Sequence, residues 1–279
     1  MALPSKPVTP PSTPRTAVAR TPATRAEKLE AFGRLLDIMD ELRAGCPWDR
    51  KQTLQTLRPL TIEETYELAD ALLADRLPDV EEELGDILLH LVFYALIGQE
   101  RGAFDIASVC HREAEKLISR HPHIYGGVEV ANEAEVKRNW EQIKLKEKGK
   151  STVLGGVPRG LPALVKALRL QEKTAQFGFE WEHASQVLTK VEEELAELRE
   201  AVGEGQGRER VEEEFGDLLF SLVNYARFID VDPDAALERT NQKFKRRFDH
   251  VEARAERPLA DMTLAEMDAL WEEAKARGL

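Results

Sequence analysis

The stretch Glu82-Glu83-Leu84-Gly85-Asp86-Ile87-Leu88-Leu89 returns 131 residues later as Glu213-Glu214-Phe215-Gly216-Asp217-Leu218-Leu219-Phe220. Ahead of each copy stands a second acidic element. It reads Glu63-Glu64-Thr65-Tyr66-Glu67 in the first case and Glu193-Glu194-Leu195-Ala196-Glu197 in the second, 130 residues apart. Behind each copy, Lys116 and Arg120 recur as Lys243 and Arg247 at an offset of 127, and Trp140 and Lys144 recur as Trp271 and Lys275 at 131. Elements repeated in one order at nearly constant spacing mark an internal duplication. The period exceeds that of a solenoid repeat, so the chain holds two copies of one small domain.

The surrounding pattern fixes the fold class. Leu29, Phe32, Leu35, Leu36, Met39 and Leu42 step by three and four, which places them on one helix face. Comparable stripes run over 62–76, 79–100, 105–119, 133–147, 162–176, 186–202, 209–229, 234–255 and 264–277. Thr24 with Glu27, Asn132 with Glu135 and Thr263 with Glu266 have capping-box spacing, and Asp232-Pro233 reads as an N-cap followed by proline at the first helical position. Alternating β-branched runs are nearly absent, so the expected class is all-α: two tandem helical bundles related by duplication. Gly155, Gly156, Pro158, Gly160 and Pro162 interrupt the helical pattern, which sets a linker at 151–162 between domains at 26–150 and 163–279. The proline-rich residues 1–25 are too poor in apolar side chains to offset their ordering entropy, and they read as a disordered tail.

Composition narrows the function. The formal net charge of −12 argues against a protein that coats a nucleic-acid polymer, which needs broad positive surface. Two cysteines among 279 residues cannot form a disulfide framework and suit a reducing cytoplasm. The longest apolar run, Ile87 to Gly98, is interrupted by His90 and is far short of the roughly 20 residues that span a bilayer. No apolar-centred secretory signal opens the chain, and no membrane partner is expected.

Residues three or four apart share a helix face, so Glu64 with Glu67, Glu83 with Asp86, Glu194 with Glu197 and Glu214 with Asp217 project in pairs. Glu-rich helix faces are ordinarily solvated. Here the acids adjoin strongly apolar runs and the whole set is duplicated, which favours carboxylates gathered around a cation. Magnesium, with manganese as a substitute, matches an all-oxygen donor set; no imidazole accompanies the acids as a di-iron bundle would require. Lys243 and Arg247, four apart on one face, could hold phosphate oxygens, and Lys190 and Arg210 stand one turn ahead of Glu194 and Glu214. Trp271 with Lys275 offers an aromatic face beside a cation, suited to a nucleoside carrying phosphates or, equally, to a capped core. No glycine-rich phosphate loop is present.

In this ordered combination, with Cys46-Pro47-Trp48-Asp49, Arg120-His121-Pro122-His123, Lys243-Phe244-Lys245-Arg246-Arg247-Phe248 and Trp140-Glu141-Gln142-Ile143-Lys144, the chain resembles the MazG family of all-α nucleoside triphosphate pyrophosphohydrolases in its tandem form. The resemblance spans about residues 28–276. It implies magnesium-dependent cleavage between the α and β phosphates, giving a monophosphate and pyrophosphate, in domains that dimerise. Carried over by residue, Glu194, Glu197, Glu214 and Asp217 would hold the metal, and Glu193, or another acid of the set, would orient and deprotonate water. Lys190, Arg210, Glu213, Lys243, Arg247, Trp271 and Lys275 would hold the substrate, and Glu64, Glu67, Glu83 and Asp86 would form a second metal site. The first copy has Ile118-Ser119-Arg120 where the second has Lys245-Arg246-Arg247, so the second is the expected main catalytic copy. Two other readings stay open. One is a non-catalytic helical dimer that binds a regulatory partner. The other is a hydrolase restricted to one deoxynucleotide or a damaged one.

Overall fold

A computed structural model describes residues 21–132, 135–136, 139–140, 143 and 152–279. Most of the expected tail therefore lies outside the described residues, as does Lys144. The described residues contain ten α-helices and no strand. They are α1 (Arg25–Gly45), α2 (Leu54–Leu73), α3 (Leu77–Glu100), α4 (Ile106–Arg120), the single turn α5 (Pro122–Tyr125), α6 (Ala163–Ala175), α7 (Ala184–Gly203), α8 (Arg208–Phe228), α9 (Pro233–Arg254) and α10 (Leu264–Ala276). None of the described helices is long and apolar enough to cross a membrane. Packing divides the chain into two compact units, with the division falling inside α4 after Glu115.

The helix starts follow local chemistry. Thr24 and Thr263 form reciprocal capping boxes with Glu27 and Glu266, and Asp232 accepts from the backbone N–H groups of Asp234 and Ala235. Asn132 Oδ1 accepts from the Glu135 N–H at 3.0 Å. The second helix departs from the expected start at 62. It begins at Leu54, capped by Thr53, and carries Pro59 inside it. Pro59 forfeits its own i−4 hydrogen bond, which is why a proline at this point reads as a helix break. Thr61 is an interior residue of this helix that donates to the Leu57 carbonyl at 3.1 Å and sits 2.6 Å from the Tyr94 hydroxyl.

The duplication extends to the backbone. The α2–α3 and α7–α8 hairpins close with the same C-terminal motif: Arg76 N–H donates to the Ala71 carbonyl at 3.0 Å and Gln206 N–H to the Ala201 carbonyl at 3.1 Å. The left-handed residue this motif demands is Gly205 at φ +63° in the second hairpin and Asp75 at φ +52° in the first. Both hairpins bury the alanine that accepts the closing bond.

In the first unit, Met39, Leu57, Val92, Phe93 and Ile97 form a buried cluster, with Phe32, Leu35, Leu36, Leu54, Leu60, Leu89 and Tyr94 packed around it. Arg43 stacks over Phe93 and pairs with Glu100 through two hydrogen bonds of 2.6 and 2.7 Å. It also donates to the carbonyls of Asp49 and Gln52, which fixes the Cys46-Pro47-Trp48-Asp49 turn. In the second unit α8 packs on α7 and α6, and α9 packs on α10, with contacts back to α6 and α8. Val187, Ala201, Val223, Val251 and Ala274 are its buried apolar residues.

Leu57 is fully buried, and deleting such a side chain costs about 2–5 kcal/mol through lost transfer energy and the cavity left behind. Leu57→Ala is expected to lower the unfolding free energy by about 3 kcal/mol in a denaturant titration. Leu264→Ala, at a position 79% exposed, should change it by less than about 0.5 kcal/mol.

Candidate metal centre

The two helices of the second hairpin each carry a cation, an exposed acid three residues on and a buried acid four residues on. On α7 these are Lys190, Glu193 and Glu194; on α8 they are Arg210, Glu213 and Glu214. Glu194 and Glu214 are 6% and 2% exposed, and the hairpin brings them together with Asp217 so that one carboxylate oxygen of each lies within 4.8 Å of the others. At that separation two carboxylates repel by about 3 kcal/mol even at an effective dielectric constant near 20. In this cluster cations offset the repulsion. Lys190 Nζ lies 2.7 Å from Glu194 and 2.8 Å from Glu193, while Arg210 reaches both Glu213, at 2.8 Å, and Glu214. These hydrogen bonds hold the Lys190 ammonium and the Arg210 guanidinium above their ordinary pKa ranges, with Glu193 and Glu213 as the largest causes.

Glu197, one turn beyond Glu194, is half-buried; partial burial first, then the charges of Glu194 and Glu214, raise its carboxyl pKa. Glu193 faces solvent in its salt bridge to Lys190. The four acids expected to act together thus divide into three whose oxygens converge and one, Glu197, beside them.

The first hairpin gathers Glu64, Glu67 and Glu83 within the same 4.8 Å limit, with Asp86 beside them. Where α7 has Lys190 this hairpin has Leu60, and where α8 has Arg210 it has Asp79. The consequence falls on Glu83. Burial, reinforced by Glu67, Glu64, Asp86 and Glu82, pushes its carboxyl up to about 7. Its Oε2 is buried and has no hydrogen-bond partner. An orphaned carboxylate oxygen within an all-oxygen donor set fits a hard divalent cation.

Beside the second cluster lies a cavity of about 600 Å³ that the sequence did not reveal, lined at one end by Lys190, Glu194 and Asp217. Phe220, Asn224 and Arg227 continue the lining along one face of α8, three, seven and ten residues beyond Asp217. That is a run of about 15 Å at 1.5 Å per residue. The loop after α6 supplies Phe179, Glu180 and Trp181, and Arg227 fastens it by donating to Glu180 at 2.5 and 2.7 Å. The helical spacing of Asn224 and Arg227 from Asp217 was visible in the sequence, but only the folded loop shows that this face lines a cavity. Glu180-x-x-His183, the sole Glu-x-x-His of the chain, is spent on this ion pair and on the start of α7, where His183 is the N-cap.

The basic set sits on α9 and α10. Arg247 donates to the Leu279 carbonyl at 2.7 Å and stands 5.7 Å from the centre of the Trp271 ring, which also meets Phe244 at 5.0 Å. Lys275 pairs with Glu272 at 2.7 Å and Lys243 is exposed. The fold brings Arg247 and Trp271 together, but none of Lys243, Arg247, Trp271 or Lys275 lines the cavity.

A family model described as the MazG nucleotide pyrophosphohydrolase domain matches the chain twice, over residues 52–125 and 182–252, and so covers both hairpins and their carboxylate clusters. The nucleoside triphosphate pyrophosphohydrolase/pyrophosphatase MazG of Thermotoga maritima is 45% identical over 251 residues, which is 88% of this chain and 95% of that protein. The Escherichia coli nucleoside triphosphate pyrophosphohydrolase is 42% identical over 260 residues, 88% of this chain and 98% of the relative. The Bacillus subtilis protein YabN is 45% identical over 263 residues that make up 91% of this chain and 54% of its own length. Both matches fall on the repeated acidic hairpins, and the chain belongs to the MazG family, with the domain present twice.

Proposed function

We propose that the protein hydrolyses nucleoside triphosphates, ribo- and deoxyribo- alike, to the monophosphate and pyrophosphate, with magnesium as the metal and manganese as a substitute. The observation that carries this reading is the convergence of Glu194, Glu214 and Asp217 at one end of a cavity large enough for a nucleoside. Glu194, Glu197, Glu214 and Asp217 would hold the ion. When bound, it neutralises phosphate charge and lowers the barrier to attack. Lys190 and Arg210 supply hydrogen bonds to phosphate oxygens, with Glu213 steering Arg210. Glu193 orients a water and takes its proton as the water oxygen bonds to the α phosphorus. The bond from that phosphorus to the αβ-bridging oxygen breaks, and pyrophosphate leaves with the bonding pair. Lys243, Arg247, Trp271 and Lys275 form a further substrate-binding set on α9 and α10. We assign the main activity to the second copy because its acids come with their own cations, and a weaker metal site to Glu64, Glu67, Glu83 and Asp86.

The functional form is a homodimer in this reading. Leu84, Leu88 and Leu91 on α3 and Phe215, Leu219 and Leu222 on α8 occupy duplicated positions, step along one helix face and are all exposed. Matched apolar stripes of this kind suit burial against a second copy. A cytoplasmic place and a role in clearing unwanted nucleotides accompany the proposal.

Pyrophosphate release from a nucleotide panel tests the reaction. Turnover should need magnesium and vanish with chelator. Glu214→Gln should lower it at least about 100-fold, the upper end of the cost of losing a metal site's outer-shell partner, and Glu83→Gln should lower it far less. A folded wild type inactive on every nucleotide would leave only the partner-binding reading.

Phe215→Lys with Leu219→Lys should shift the sedimentation coefficient from dimer to monomer. The metal-free protein should also show a pH dependence that starts at Glu83. Its folded pKa of about 7 lies above the unfolded value of 4.5, so protonation contributes stability that is fully present below about 4.5 and is lost as the pH rises through 7. The melting temperature of Glu83→Gln should therefore exceed that of wild type above pH 8 and match it below pH 5 in scanning calorimetry.

A further inference from the structure

The cations of the second hairpin have a feature that tight binding of phosphate alone would not require. Each is shared between two acids of its own helix, one exposed and one buried, and the geometry is the same on both helices. Lys190 and Arg210 are 36% and 48% exposed in their side chains, so neither is locked in place by packing. The duplicated positions in the first hairpin, Leu60 and Asp79, carry no cation, although the acids three and four residues on are kept. The carboxylates alone therefore do not dictate the pairing; it is particular to the copy that borders the cavity.

We infer that Lys190 and Arg210 are a removable internal counter-charge: in the metal-free protein they neutralise Glu194 and Glu214, and they hand these carboxylates over to a divalent cation only when a polyphosphate arrives to take them. The inference rests on the reading of the site as one for metal and nucleoside triphosphate. A metal ion alone meets three converging carboxylates, two of which are already paired with cations. It gains little net charge and must break both pairs. A polyphosphate offers the displaced ammonium and guanidinium a partner of equal strength, so breaking the pairs then costs little. Glu193 and Glu213 keep a hydrogen bond to each cation as it turns, which holds it at the rim and out of bulk solvent. Metal and nucleotide then bind with positive coupling, and by linkage each raises the affinity of the other by the same factor. The device keeps the site from filling with metal in the absence of substrate.

The test is manganese binding, followed by electron paramagnetic resonance of the free ion, in the full chain with Glu67→Gln and Glu83→Gln to silence the first cluster. Manganese is titrated alone and with an α,β-methylene nucleoside triphosphate that cannot be cleaved. The parent should bind manganese at least about tenfold more tightly with the analogue than without. Adding Lys190→Gln and Arg210→Gln should raise the affinity for manganese alone by about tenfold or more and shrink the coupling. Lys190→Arg with Arg210→Lys, which keeps both charges, should restore the parent values. A parent that binds manganese equally well with and without bound analogue overturns the inference, and so does a Gln pair that leaves the affinity for manganese alone unchanged. Should the Gln pair not fold, the parent titrations decide the matter. If no analogue binds, the triphosphate reading fails, whereas the effect of the Gln pair on manganese alone still decides whether the counter-charge exists.

Discussion

Mutual repulsion among converging carboxylates is the constraint on which the rest of this structure depends. A helix hairpin closed by an identical backbone motif in each copy sets three acidic oxygens within 4.8 Å of one another, a spacing like charges do not adopt unaided. Each copy relieves the repulsion by its own means. The second places a lysine and an arginine one turn ahead of its two buried glutamates, and the charge is met within the hairpin. The first has Leu60 and Asp79 at those positions, and Glu83 answers by binding a proton near neutrality. The duplication preserved the acids and their spacing, and the two copies diverged in what neutralises them.

That divergence bears on function. In the proposed reading, a cluster that carries its own cations is poised to exchange them for a metal and a phosphate together, whereas a metal binding at the first cluster would have to displace the proton of Glu83. The cavity of about 600 Å³ borders the cluster with its own cations, and its lining includes the Arg227–Glu180 pair, which ties the loop after α6 to the last turns of α8. Arg43 and Glu100 make the corresponding tie in the first unit with the charges exchanged between the elements, the cation at the end of α1 and the acid at the end of α3. Both arrangements fasten the turn after an opening helix to the end of a long one.

Much of the fold was legible in the residues because helices are local. Capping boxes at Thr24 and Thr263 and the Asp232-Pro233 start are set by side chains within four residues of the backbone groups they satisfy, and the structure has each where its spacing placed it. The start of α2 was not legible. Pro59 and Thr61 both speak locally for a break, yet Leu57 and Leu60 pack into the core and the helix runs through them. Tertiary burial outweighed local preference there. The site was legible to the same extent: the pairs at i, i+3 and i+4 follow from helical geometry, but the exclusion of Glu197 from the tightest cluster depends on how two helices cross.

The sequence by itself determined the all-α class, the duplication, the faces on which the acids lie and the family, since each follows from spacing along one chain. Tertiary structure alone decided which acids converge, which of them are buried, that Arg247 meets the Leu279 carbonyl and the Trp271 ring, and that a cavity opens beside Glu194 and Asp217. The physical reason is range. Hydrogen-bonded turns and caps act over three or four residues, while desolvation, charge repulsion and cavity shape depend on groups that the chain brings together from dozens of residues apart.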